Sequence, residues 1–481
     1  MNKVLPFGIG SCVRFRVARQ ALCTCILAGF AWVTVLKAQS VCIDTILYEG
    51  LKRTKTCVIL RELGFKDGDC MPLLALKAEL EPARLRLMNT ALFNDACIEV
   101  LEPDSGHAVV VVHVTETWYF VPMPIFDLAD RNFNVWWNEF DRSFQRVNYG
   151  LNLHHGNLTG HRDVFKLDLQ FGYTNSYGFS YSIPAINKKQ TLGISVGASF
   201  NRNREVAFTT SENKPVFLRN PDGWQLQRLQ SFVGLNWRPG FFTTHHFMLE
   251  YRDNRIADSI GQVFNPDFFL EGRTNQQYSS FSYSFVKDRR DWRPYPMSGD
   301  KVVLEVRQNG ILPTDDLHIC RLYAEYTRHI RFGQYWSSGV SGRLRTTLPR
   351  QSPPYFNNQA LGYGGNTVRG FEYFVADGLD FAVVKMAVRR QLFDKVFRIK
   401  KGMPFENFKV CPLKVYVSAG SDFGYANDPH YKYTNPFVNR VLWGGGLGLD
   451  VVAWYDKVAR FEWSITDTGL SGFYVSMNMG F

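Results

Sequence analysis

The 481 residues carry 55 Lys and Arg against 44 Asp and Glu, a formal charge of +11, with 45% hydrophobic and 15% aromatic side chains. Residues 1–38 hold five basic and no acidic side chains, so the remainder keeps a mild +6, too little to imply a nucleic-acid partner. Beyond that segment no run reaches the ~20 apolar residues of a spanning helix, and lipid cannot satisfy open backbone groups, so a membrane form of this chain must be a strand barrel.

At the start, Lys3, Arg14, Arg16 and Arg19 precede an apolar run from Ala21 to Leu36, with Ala38-Gln39 as the cleavage point. This pattern is a secretory signal peptide over residues 1–38. Residues 39–118 read as a small mixed domain: an extended Ile43 to Tyr48, a helix from Lys55 to Leu63, a second helix near Leu74 to Leu92, then strands Ala96 to Glu102 and Ala108 to Thr115. The order is β-α-α-β-β. Leu76, Leu80, Ala83 and Leu87 form one apolar stripe at helical spacing, and Pro82 within it is a potential break. Cys42, Cys57, Cys70 and Cys97 permit two disulfides in three pairings, or small buried thiols; the sequence does not choose. Cys320 and Cys411 are too far apart in sequence to read.

From Phe120 onward short alternating segments are separated by Gly, Asn, Asp and Pro clusters. Val121-Pro122-Met123-Pro124 reads as an interdomain hinge, since proline restricts itself and its neighbour. Phe165, Leu167, Leu169 and Phe171 alternate with Lys166, Asp168 and Gln170, and Val302, Leu304 and Val306 with Glu305 and Arg307. Such faces suit lipid outside and water inside, although a soluble sandwich alternates too. Trp136, Trp137, Tyr149, Tyr173, Tyr177, Phe179 and Tyr181 are candidates for interfacial girdles. The final stretch settles the preference: Phe473, Val475, Met477, Met479 and Phe481 alternate with Tyr474, Ser476, Asn478 and Gly480, the pattern of a closing strand with one face in lipid. The expected fold is mostly β, a small domain followed by an antiparallel transmembrane β-barrel over residues 119–481.

Gly50-Leu51-Lys52-Arg53-Thr54, Val58 to Leu63 and Gly68, then Arg84-Leu85 and Asn89 to Asn94, resemble a POTRA domain, the periplasmic module of the BamA/TamA-like outer-membrane assembly and secretion superfamily. Val368-Arg369-Gly370-Phe371, preceded by Gly362 to Asn366, resembles that superfamily's sixth-loop signature. Asp288-Arg289-Arg290-Asp291 with Pro296 and Gly299 is similar to its hairpin pattern. The resemblance implies sixteen strands, a long loop near 350–378 folded into the lumen, and Arg369 packed on the inner wall. Its acidic partner in the family falls where Tyr416-Val417-Ser418-Ala419-Gly420 stands here, so Ser418 occupies the acidic place. Asp422 shares its strand parity and would substitute through a register slip or bulge.

The resemblance further implies an outer-membrane location in a Gram-negative bacterium, with the POTRA domain in the periplasm. It implies a factor that inserts or translocates unfolded outer-membrane or secreted polypeptides, with the lipid bilayer and periplasmic chaperones or accessory lipoproteins as partners. The gate would be the loop and the seam between Gly472 to Phe481 and Tyr119 to Asp127. A passive porin-like channel and a secretion pore for one partner are the alternatives. No cofactor, metal or catalytic group is expected. His154, His155, His161, His245 and His246 read as turn or opposite-face residues. Gly444-Gly445-Gly446-Leu447-Gly448 reads as a tightly curved strand rather than a phosphate loop.

Overall fold

The computed structural model describes residues 40–104, 106–128, 133–220, 223–398, 410–431, 434–453 and 457–478. The signal-peptide segment, Met479 and Phe481 lie outside them. In the N-terminal module, β1 (Ser40–Glu49), α1 (Thr56–Leu63), β2 (Cys70–Pro72), α2 (Leu73–Met88), β3 (Phe93–Asp104) and β4 (His107–Glu116) build a four-stranded sheet in the order β2-β1-β4-β3. The three-residue β2 is an addition to the expected order. It is stitched to β1 by a Cys42–Cys70 disulfide, while Cys57 and Cys97 are free. One bridge therefore forms where two were open.

Both helices cover one face of this sheet. Ile43, Ile59, Leu63, Leu76, Ala83, Leu87, Val110 and Val112 are fully buried, each large aliphatic contributing roughly 1.5–3 kcal/mol relative to exposure. That burial explains why α2 runs through Pro82 without breaking: Leu76 before the proline and Ala83 and Leu87 after it dock on the same sheet, offsetting a cost of ~3 kcal/mol.

The barrel strands are β5 (Phe120–Leu128), β6 (Val147–Gly156), β7 (Val164–Gly172), β8 (Thr174–Ile183) and β9 (Leu192–Asn203). A distal hairpin, β10 (Glu205–Ser211) and β11 (Lys214–Arg219), intervenes. Next come β12 (Leu226–Trp237), β13 (Thr243–Ile256), β14 (Asn275–Asp288), β15 (Gly299–Asn309), β16 (Ile319–Phe332) and β17 (Trp336–Leu348). The short β18 (Gln359–Leu361) and β19 (Ala376–Asp377) lie within the long loop. β20 (Asp380–Arg398), β21 (Val410–Asn427), β22 (Val441–Ala453), β23 (Lys457–Thr466) and β24 (Ser471–Asn478) complete the wall.

Sixteen of these strands form one antiparallel sheet, from β5 at one end of its order to β24 at the other. Pleat parity sorts the side chains: Leu304, Leu344, Leu447, Trp463 and Phe473 are each at least half exposed on the outer face, whereas Glu250, Asp422, Asp450 and Glu462 are buried inside. The wall is a transmembrane β-barrel. Tyr149 and Phe179 are exposed outer-face aromatics. Trp136, a girdle candidate, instead lies buried in the one-turn α3 (Phe133–Asn138) between β5 and β6.

The module is docked over one mouth of the barrel. Asn157 of the β6–β7 turn donates to Thr54 Oγ1 at 2.8 Å, and Lys55 N–H donates to Gly160 O at 2.9 Å. Gln190 of the β8–β9 turn donates to Cys57 O at 2.8 Å. In the β12–β13 turn Arg238 forks onto Glu62, and Arg86 stacks 4.3 Å above the Phe241 ring.

Candidate functional site in the lumen and at the seam

Between β17 and β20 the chain turns inward rather than capping the distal end. Val368 and Phe371 are almost fully buried, packed with Ala360, Leu361, Phe381, Val383 and Leu442. Phe371 meets Phe374 and Phe437 edge to face. These apolar residues anchor the loop on the inner wall and place Arg369 between strands, 8% exposed.

Arg369 Nε lies 3.3 Å from Glu462 Oε1 on β23 and 3.8 Å from Asp422 Oδ2 on β21. Its backbone N–H also donates to Asp422 Oδ2 at 3.2 Å. A buried guanidinium flanked by two carboxylates is strongly held, because removing it leaves two buried carboxylates, of which only Asp422 keeps an ion pair among the described residues, with Lys385 Nζ at 3.8 Å. Asp422 reaches it with no bulge: β21 pairs with β22 in unbroken register from Lys414 to Tyr425. Ser418, buried one inward position beyond Gly420, has no hydrogen bond to Arg369 among the described residues. The expected register slip is unnecessary, because the loop tip lies nearer the distal end than the serine.

Three glycines hollow out the seat. A Cβ at Gly420 would stand 2.2 Å from Arg369 Nη1, and one at Gly444 only 1.8 Å from Arg369 O. At Gly446 it would stand 3.1 Å from Arg369 Cδ. The glycine run is a groove for this loop, a role that curvature alone does not capture. Gly370 has φ +83, a backbone conformation that favours glycine, and its carbonyl accepts from Tyr474 Oη at 3.1 Å. The loop tip thus touches β24 itself.

At the opposite mouth, the β14–β15 hairpin folds inward. Asp288 pairs with Arg290 at 2.8 Å and with Arg293 at 3.3 Å. Asp291 Oδ1 accepts from the N–H groups of Trp292 and Met297 at 2.8 and 3.1 Å. Pro296 O accepts from Arg389 at 3.3 Å, and Gly299 takes φ +99 where the chain re-enters β15. Tyr295 stacks on Tyr416 of β21 with centroids 4.4 Å apart and donates to Asp450 at 2.7 Å.

The seam has its own chemistry. Among the described residues no ladder joins β5 to β24. Val121 to Pro124 is no hinge: it lies inside β5, each residue paired with β6. Gly156 N–H donates to Tyr119 O at 2.9 Å, so the odd-numbered residues of β5 carry the bonds to β6 and the even-numbered ones turn their backbone toward the free edge. Pro122 and Pro124 are both even-numbered. They cost the β6 ladder nothing and remove two donors from the edge that faces β24. α3 packs against β24, and Asn138 donates to Tyr373 Oη at 3.0 Å while Tyr373 lies against Tyr474.

Glu462 carries no mark in the sequence, and Tyr474 and the glycine run, though visible there, do not show what they meet. A lone acid or aromatic at an inward position looks like any lumenal residue until the loop is seen against it.

Residues 157–381 match the family model described as the Omp85 superfamily domain. The fold resembles BamA from Haemophilus ducreyi lacking POTRA domains 1–3, at TM-score 0.52 and 11% identity over 91% of this chain and 84% of that one. It also resembles CdiB from Escherichia coli (TM-score 0.55, 12% identity, 91% and 75% covered) and CdiB from Acinetobacter baumannii (0.51, 13%, 91% and 73%). A search of curated proteins finds no match.

Proposed function

Taking a chain that carries an Omp85 superfamily domain as the premise, we propose that it is an outer-membrane factor that inserts or translocates polypeptides, its N-terminal module on the periplasmic side. The observation that carries this reading is the donor-poor edge of β5. A barrel that served only as a pore would gain from a fully bonded seam, whereas an edge lacking donors at Pro122 and Pro124 makes separation from β24 cheap and leaves β24 open to another strand.

The module supports delivery of an extended client. Its β2 edge is three residues long and tied down by the Cys42–Cys70 disulfide, but β3 presents a twelve-residue edge with Leu101 exposed. Strand addition there would hold a client by its backbone and so tolerate varied sequences. The Arg369 loop, which touches β24 through Gly370 and Tyr474, would couple the lumen to the seam.

Two experiments test the reading. Replacing both prolines (Pro122→Val, Pro124→Val) restores two donors, each worth ~0.5–1.5 kcal/mol once paired; the barrel should unfold at higher temperature and move less client. Higher stability with full activity would sink the seam gate. Depletion in a Gram-negative host with quantitative outer-membrane proteomics separates the broader classes. Loss of many barrel proteins supports assembly, loss of one exported protein supports dedicated secretion, and no change supports a passive channel.

A further inference from the structure

We propose that the cavity between the module and the barrel mouth binds a phosphate-class oxyanion, and that its occupancy fastens the module in place. The inference concerns the mouth alone and holds whatever the barrel transports. The cavity has a volume of ~480 Å3, room for such an ion with its water. The module contributes Glu62 and Arg86 to its lining; the barrel contributes Arg162, Arg238, Arg290, Arg293 and Asp288.

The charges there do not cancel. Glu62 is shared by Arg238, at 2.9 Å, and Arg162, at 4.0 Å. Asp288 is shared by Arg290 and Arg293. Arg86 takes Glu79, just outside the cavity, at 2.6 Å, and Arg61 adds a further guanidinium by donating to Arg238 O at 2.7 Å. Six guanidiniums thus meet three carboxylates. Burial pulls Arg162 down to about 10, with Glu62 opposing the fall and the neighbouring Arg238 and Arg293 adding to it.

A carboxylate brings one charge and two oxygens, whereas a phosphate brings up to two charges and enough oxygens to take several guanidinium forks at once. Arg86 spends Nε on Glu62 O and Nη2 on Leu63 O and Glu79, which leaves Nη1 for the cavity; an ion held by Nη1 on one side and by Arg162 and Arg293 on the other would bridge the two bodies, so mass action ties docking to its concentration.

The test uses the full chain in detergent. Inorganic phosphate is titrated against chloride at constant ionic strength, with binding read by calorimetry and docking by hydrogen exchange of the Lys55 to Leu63 amides. The expected result is saturable phosphate binding, slower exchange, and an apparent Kd raised roughly tenfold or more in Arg162→Gln/Arg293→Gln. The charge-retaining Arg162→Lys/Arg293→Lys guards against misfolding and should lose only part of the affinity. A short-chain phosphatidic acid arm assigns the source: tighter binding than inorganic phosphate marks a lipid headgroup, weaker binding marks free phosphate. Equal responses to phosphate and chloride, an unchanged Kd in the Gln pair, or tighter binding of an acidic peptide than of either phosphate source would overturn the proposal.

Discussion

The distal loop and the module-end mouth are both organised by arginines, yet they are held by opposite means. Arg369 is buried in a groove cut by glycines, with two carboxylates against it. The arginines at the mouth outnumber their partners and surround open volume. Two carboxylates closed over one desolvated guanidinium are hard to replace, while at the mouth Glu62 and Asp288 are buried but the guanidiniums around them stay partly hydrated, so their surplus charge is more screened and can exchange partners. The difference teaches where the molecule is built to stay fixed and where it is built to let go.

The sharpest way to break that contrast is Arg369→Ala. It strands the buried Glu462, leaves Asp422 only Lys385 as an ion-pair partner among the described residues, and should cost ~3–5 kcal/mol, read as a lower temperature for the loss of heat-modifiable mobility of the folded barrel; unchanged mobility would show that the loop does not pin the wall. Gly444→Ala attacks the same seat by volume alone. Its methyl would overlap Arg369 O, so a loss of ~1–3 kcal/mol is expected, with module docking untouched.

A third probe is pH. Burial, with Glu462 adjacent, pushes the Glu372 carboxyl in the loop up to about 7. Because its folded pKa lies above its unfolded one, the folded state binds more protons between roughly pH 4.5 and 7, so stability falls as pH rises through that window. Glu372→Gln should flatten this slope in thermal melts; an unaltered slope would assign it to another group. The smallest effect belongs to the mouth. At its exposed rim, Arg53 of the module donates to Leu158 O of the β6–β7 turn, and Arg53→Gln should weaken docking by at most ~1 kcal/mol, seen as faster exchange of the Lys55 to Leu63 amides with the barrel's melting unchanged.

Much of this architecture is legible in the chain. The alternating strands, the apolar stripe of α2 and the inward parity of Asp422 all follow from side-chain period, which local sequence carries. What escaped is what depends on two distant segments meeting. The prolines at 122 and 124 looked like a hinge because proline breaks most structures, and only the β6 register shows that both face an edge where the missing donors do no local harm. Gly444 to Gly446 looked like curvature because the occupant of the space they leave comes from residue 369. Glu462 was silent for the same reason, and the choice of Cys42 with Cys70 required knowing that a three-residue strand lies beside β1.

Asn89, at the end of α2, donates to Asp291 O at 3.0 Å and accepts from Arg293 N–H at 3.3 Å. One amide thus grips the hairpin by its backbone on both sides, and the same hairpin reaches Tyr416 and Asp450 through Tyr295. In mechanical terms the hairpin is a crank, with its handle in the module and its shaft on the far wall. A tilt of the module would therefore bear first on β21 and β22, the strands that also carry Asp422 and the glycine groove.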